Sequence, residues 1–208
     1  MPDGVPVIYS DDALIVVDKP AGLLAVPGRG EQRQDCAASR VMQAFADALV
    51  VHRLDQATSG LLVFARGAAA QRTLSAAFAE RRVAKRYTAV VEGLILEDRG
   101  CIDLPLAADW PNRPRQQVDS VHGKPSITQW RVLSRDTAAR TTRLELEPLT
   151  GRSHQLRVHL LAIGHAIVGD ALYAPALAAP RLMLHACALA LAHPHGGRAL
   201  NFSSHAPF

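Results

Sequence analysis

The sequence predicts an α+β fold, a largely antiparallel mixed β-sheet with flanking helices, and three observations lead there. Short runs rich in Val, Ile and Leu, bounded by Gly, Pro and Asp, recur along the chain. A few longer stretches carry helical spacing instead, and they are interspersed with the strands without the regular alternation of a doubly wound sheet. At 208 residues, 49% of them hydrophobic, the chain is long enough to bury a sizeable core and short enough for one domain, 1–208.

In order along the chain, 5–10 and 13–20 predict strands because β-branched residues end at a Pro-Ala-Gly turn, and 22–28 predicts a third. Residues 34–49 have helical spacing and good helix formers. The apolar run 61–65 predicts a short buried strand, and the Ala-rich stretch 68–82 a helix whose basic end suits its negative pole. Residues 85–95 alternate as a strand, whereas the polar, Pro-rich 109–125 predicts a long exposed loop. A strand pair follows at 127–135 and 138–147. A helix is then expected over 153–163, with Ser153 as N-cap and Gly164 just past its end, and strands at 182–191 and 200–202 close the chain.

Composition narrows the function. A net charge of +4 favours polyanionic partners, nucleic acid first. The three cysteines, Cys36, Cys101 and Cys187, are far apart and odd in number, which argues for reduced thiols and against a disulfide framework or zinc site. The N-terminus has no basic-then-apolar leader and no run reaches about 18 apolar residues, so a cytoplasmic location is expected. His154, His159 and His165 lie close in sequence, but a spacing of five separates the first two by about 140° on a helix. No H-E-x-x-H or Cys partner accompanies them, so no metal site is expected. Gly28-Arg29-Gly30 lacks the lysine of a phosphate loop, and Ser59 is not in G-x-S-x-G.

Two segments could carry chemistry. His52-Arg53-Leu54-Asp55-Gln56-Ala57-Thr58-Ser59-Gly60 places a carboxylate in a short loop behind a cation and ahead of small hydroxyl residues. Its spacing is equally that of a turn capped by Asp55, with Thr58 and Ser59 satisfying backbone groups. Gly151-Arg152-Ser153-His154-Gln155-Leu156-Arg157 crowds polar residues onto the first turns of a helix, with Arg157 beside its apolar face. There the guanidinium is either solvated or buried with an acidic partner, for which Asp55 is a candidate. The residues alone leave a basic chain with one loop carboxylate, one helix-borne Arg and a basic loop carrying Trp110.

HRLDQATSG (52–60) resembles the H-R-L-D-x-x-T-S-G signature of the RluA-type pseudouridine synthases. KRYTAVVEG (85–93) and TGRSHQLRVHLLAIGHAIVGDALY (150–173) resemble that family's second and third motifs, in the family's order. VVDKPAGLLAVPGR, DLPLAADWPNRPRQQVD and GKPSITQW extend the similarity over nearly the whole chain; Ala166 departs from it, standing where a Pro is frequent. The resemblance implies a pseudouridine synthase fold with a central RNA-binding cleft; many relatives carry an N-terminal S4 domain, and none is expected here because there is no room for one before Val5. It implies isomerisation of uridine to pseudouridine without cofactor or metal, on a uridine of 23S ribosomal RNA and one of the tRNA anticodon stem-loop; a monomer is expected because an RNA substrate needs no symmetric partner. It assigns catalysis to Asp55, Tyr87 and Arg157, with Asp55 either nucleophile or base, and has Arg53 enter the stack that the flipped base leaves. RNA contacts are expected at Arg53, His52, Thr58, Lys85, Arg113, Arg115, Lys124, Arg152, His154 and Gln155. Two other classes stand beside this one: a non-catalytic RNA-binding module, and a hydrolase that would release free base.

Overall fold

The computed structural model describes residues 2–176 and 179–208. In chain order the elements begin β1 (Val7–Ser10), β2 (Leu14–Lys19), α1 (Ala37–Ala44), β3 (Ala48–Val50), β4 (Ser59–Arg66) and α2 (Gly67–Ala79). They continue β5 (Ala84–Glu92), β6 (Arg99–Asp103), β7 (Leu106–Ala108), β8 (Gln116–Val118), β9 (Ile127–Asp136) and β10 (Thr141–Pro148). The last are α3 (Gln155–Ala162), β11 (Leu184–Ala192) and β12 (Ala199–Ser203). The chain forms two compact units, one ending at Lys85 and completed by Ala186–Pro207, the other spanning Arg86–His185 with Phe208.

In the first unit the strand order is β1-β2-β4-β11, with β3 on β4 and β12 on β11. Seven successive residues of β4 are buried, the pattern of a strand covered on both faces. Helix α2 turns Ala70, Leu74 and Ala77 inward at helical spacing, where they join Val16, Leu61, Val63, Leu189 and Leu191 in one core. In the second unit β5, β10, β9 and β6 form an antiparallel run in that order. β10 alternates buried Thr142, Leu144, Leu146 and Pro148 with half-exposed Thr141, Arg143, Glu145 and Glu147, a sheet with one packed and one wetter face. β7 and β8 pair as a separate two-stranded ribbon.

Four expectations are corrected. Residues 22–28 are not a strand: the Lys19 ammonium draws in the Pro20 and Leu23 carbonyls and bends the chain away from a ladder. The helix expected over 34–49 is only Ala37–Ala44, entered through Cys36, whose Sγ accepts from Ser39 N; the apolar residues after it leave as β3 to pair with β4. Ser153 does not cap α3. Residue 154 is the N-cap, in the left-handed region at φ 53° with no side-chain cap bond, and the Gln155 side chain instead accepts from Arg152 N, ahead of the helix, at 3.0 Å. The loop expected over 109–125 is partly the β7–β8 ribbon, and β6 had no expectation at all.

Candidate active site

In the first unit the Asp55 loop is clamped from beneath. Lys19 is fully buried, and its ammonium donates to the carbonyls of Pro20 (2.8 Å), Leu23 (2.7 Å) and Gln56 (3.1 Å). Gly22 N donates to Gln56 O at 2.8 Å, and the Gln56 amide donates back to Gly22 O at 2.9 Å. A buried ammonium held by carbonyl oxygens ties two turns together at the price of its own hydration, a device suited to fixing a loop rather than to stabilising a core. Leu54 is buried beside Asp55, Thr58 N donates to Asp55 O at 3.1 Å, and the Asp55 side chain itself is half-buried. The loop ends at Gly60, whose φ is 113°. A Cβ there would fall 2.4 Å from Ala186 O, so only glycine lets β4 run this close.

The loop is entered through His52, whose Nε2 accepts from Val63 N at 3.0 Å while its ring stacks on Phe78 at 4.2 Å. Burial, reinforced by the Lys85 charge, pushes the imidazole down to about 3. His52 is therefore neutral at physiological pH and acts as an acceptor for the sheet. Its folded value lies below the ordinary 6.5, so its contribution to stability is complete above that pH and declines as the pH falls from 6.5 toward about 3. We expect thermal unfolding of His52→Gln to change less than wild type between pH 7 and pH 4.5; parallel curves for the two proteins would refute this role.

In the second unit Arg157 projects from α3 and is buried. Its Nε and Nη2 donate to the two carboxylate oxygens of Asp170 at 2.7 and 2.8 Å, a bidentate pair of which almost nothing reaches solvent. Burial raises the Asp170 carboxyl, but the Arg157 hydrogen bonds and charge, with the N–H groups of Tyr173 and Leu172, outweigh it and hold the group below its usual range. The Arg157 guanidinium also lies 4.9 Å from the centre of the Tyr173 ring, and Arg115 lies 5.3 Å from it. The Tyr173 hydroxyl accepts from Gln116 N at 2.7 Å and sits 2.7 Å from His154 Nδ1. Arg157, Asp170, Tyr173, His154 and Arg115 thus form one cluster. Tyr87 lies half-buried on β5, opposite Leu146 of β10.

The expected RNA contacts divide. Arg53, Arg113 and Lys124 are exposed, and Arg115, Arg152, His154 and Lys85 are partly so. Burial, with the Arg81 charge, lowers the Lys85 ammonium. Two residues turn inward. Thr58 is 2% exposed. The Gln155 amide is used up inside the protein, accepting from Thr150 Oγ1 (2.8 Å) and Arg152 N (3.0 Å) and donating to Ile127 O and Thr128 Oγ1 (both 3.0 Å). His159 is likewise a satisfied core residue: its ring nitrogens meet Thr128 Oγ1 and Leu104 O, both at 2.9 Å. Lys19, Asp170 and Tyr173 are the members of these two clusters that sequence reasoning missed. Lys19 and Asp170 stand inside the stretches quoted for the resemblance, but no local pattern marks a lysine as fully buried or an aspartate as the partner of an arginine 13 residues earlier.

A clamped loop carboxylate in one unit and a buried, carboxylate-locked arginine in the other stand on a fold shared with enzymes that act on RNA uridines. The chain matches human RNA Pseudouridylate Synthase Domain Containing 1 with a TM-score of 0.83 at 30% identity, covering 100% of this chain and 86% of that one. Against human RNA Pseudouridylate Synthase Domain Containing 4 the TM-score is 0.76 at 25% identity, over 97% and 88%.

The chain belongs to the RNA pseudouridylate synthase family, whose model matches residues 13–162. It is an isomerase that converts uridine to pseudouridine in RNA. Among curated proteins it is 49% identical to the dual-specificity RNA pseudouridine synthase RluA of Yersinia pestis over 97% of this chain and 99% of that one. It is 48% identical to RluA of Escherichia coli K12 and 47% to RluA of Haemophilus influenzae, each over 97% of this chain and 93% of the relative. Among the described residues no helix is long and apolar enough to cross a membrane.

Proposed function

We propose that this chain is a dual-specificity synthase acting on one uridine of 23S ribosomal RNA and one of the tRNA anticodon stem-loop. It works as a single catalytic domain over 1–208 and as a monomer in the cytoplasm, with neither metal nor cofactor. The uracil leaves C1′ of its ribose, turns, and rejoins through C5, so the reaction is redox-neutral and releases the C5 hydrogen. Asp55 is the essential carboxylate, as nucleophile or as base toward a ribose proton. Arg157, aimed by its fork to Asp170, is the catalytic cation. Tyr87 stacks on the flipped uracil, a contact indifferent to the rotation of the base, and Arg53 fills the gap left in the RNA stack. Arg113, Arg115, Lys124, Arg152, His154 and Lys85 bind the surrounding RNA, while His52, Thr58 and Gln155 support the loops from within. The observation that carries this reading is the Lys19 clamp, which fixes the backbone of the loop that bears the Asp55 carboxylate. A turn cap needs no buried ammonium beneath it.

Incubation without metal or nucleotide, with a tRNA anticodon stem-loop and a 23S fragment tritiated at uridine C5, should release tritium from both RNAs with RNA mass unchanged. Release from one RNA alone would end the dual specificity. Binding without release from either would leave the non-catalytic RNA-binding module, and a loss of base from the RNA would mean a hydrolase.

A further inference from the structure

The tip of the β7–β8 ribbon carries an indole that no apolar neighbour hides: Trp110 is 68% exposed. One cation lies directly over it, the Arg113 guanidinium, 3.3 Å from the ring centre. The tip is rigid by its hydrogen bonds. Asp109 N donates to Arg115 O (3.0 Å), Asn112 N to Asp109 O (3.1 Å) and Arg115 N to Asn112 O (3.0 Å). The two acids of the segment are occupied locally: Asp109 accepts from the Asn112 amide, and Asp119 accepts from the N–H groups of Val121 and His122 at 2.9 Å. The cations Arg113, Arg115 and Lys124 are left to define the charge that a ligand meets. The foot of the ribbon rests on the Arg157 cluster, through Gln116 N on the Tyr173 hydroxyl and Arg115 beside the Tyr173 ring.

We infer that the Trp110–Arg113 pair is a preformed stacking platform for an unpaired nucleotide of the substrate RNA, and that it sets which RNA loops the enzyme accepts. The inference rests on the RNA-modifying reading above and adds the chemistry of a second contact. An exposed planar ring already stacked by a guanidinium offers a base an ordered π-face, and the neighbouring cations suit its phosphates. A fully paired stem has no free base to offer, so the platform selects loops. An acidic peptide would be drawn by the cations but would gain little from the ring.

Trp110 shares the chain with only one other tryptophan, Trp130, so a Trp130→Phe/Asp55→Asn protein reports on Trp110 without turnover. Its emission should fall on adding an anticodon stem-loop and stay constant with a blunt duplex of equal length. In a background that retains Asp55, Trp110→Ala should raise KM about ten-fold, the size expected for losing one base stack. Trp110→Phe should recover most of that loss. Unchanged emission while the stem-loop is retained on filters, or an unchanged KM in Trp110→Ala, overturns the platform. Failure of the synthase reading would look different: wild type would release no tritium, whatever Trp110 reports.

Discussion

Asp55→Asn is expected to abolish turnover and leave RNA binding within about two-fold of wild type. The side chains are nearly isosteric, and the loop is held by other groups: Thr58 N on Asp55 O, Lys19 Nζ on Gln56 O, and the two hydrogen bonds between Gly22 and Gln56. None of those bonds uses the carboxylate, so they persist in the variant. What is lost is the negative oxygen needed to attack the ribose or remove its proton. General acid-base assistance alone is worth roughly 10²–10⁴-fold, and a lost nucleophile costs more, so kcat should drop at least that far. Single-turnover tritium release beside filter binding on the same preparation measures both quantities. Product at the wild-type rate would remove Asp55 from the chemistry, and a parallel loss of binding would make it a structural cap after all.

The amide differs from the carboxylate at one position, and that one position was readable in the sequence only through its motif. From the loop alone, Asp-x-x-Thr-Ser-Gly fits a capped turn as well as a reactive group. Strands β2, β4, β9 and β10 were legible because their periodicity and β-branched content agree with their burial, and α2 because its Ala-Leu-Ala face repeats at helical spacing. The elements misread are those that long-range partners decide. Residues 22–28 look like a strand until Lys19 pulls their carbonyls inward, and 45–50 look helical until β4 offers Ala48–Val50 a ladder. β6, Arg-Gly-Cys-Ile-Asp, shows almost no alternation and is a strand because β9 lies beside it. The same physics hides the partner of Arg157. Its side chain was weighed as solvated or paired, yet spacing could not single out Asp170, because the turn at 170–173 brings that carboxylate back to α3.

That partnership yields the second large effect. In Asp170→Asn the amide oxygen can still accept from Leu172 N, Tyr173 N and Arg157 Nη2, the contacts of the present Oδ1. The amide nitrogen then faces Arg157 Nε, donor against donor, and the buried guanidinium loses the Asp170 charge. Breaking one side of a buried ion pair costs about 3–5 kcal/mol. At roughly 2–4 °C per kcal/mol for a chain of this size, Tm should fall by about 6–20 °C. Turnover should fall further than the loss of folded protein accounts for, because Arg157 loses the fork that aims it. A second variant separates the two effects. Arg157→Met/Asp170→Asn removes the guanidinium and refills its space with an apolar side chain, while Asn keeps the caps on Leu172 and Tyr173. Its Tm should recover most of the loss, since replacing a buried pair by apolar packing is frequently neutral. Its kcat should stay as low as that of the single variant or lower. Recovery of activity together with stability would mean that Arg157 serves the fold alone, and that the chemistry must find its cation elsewhere.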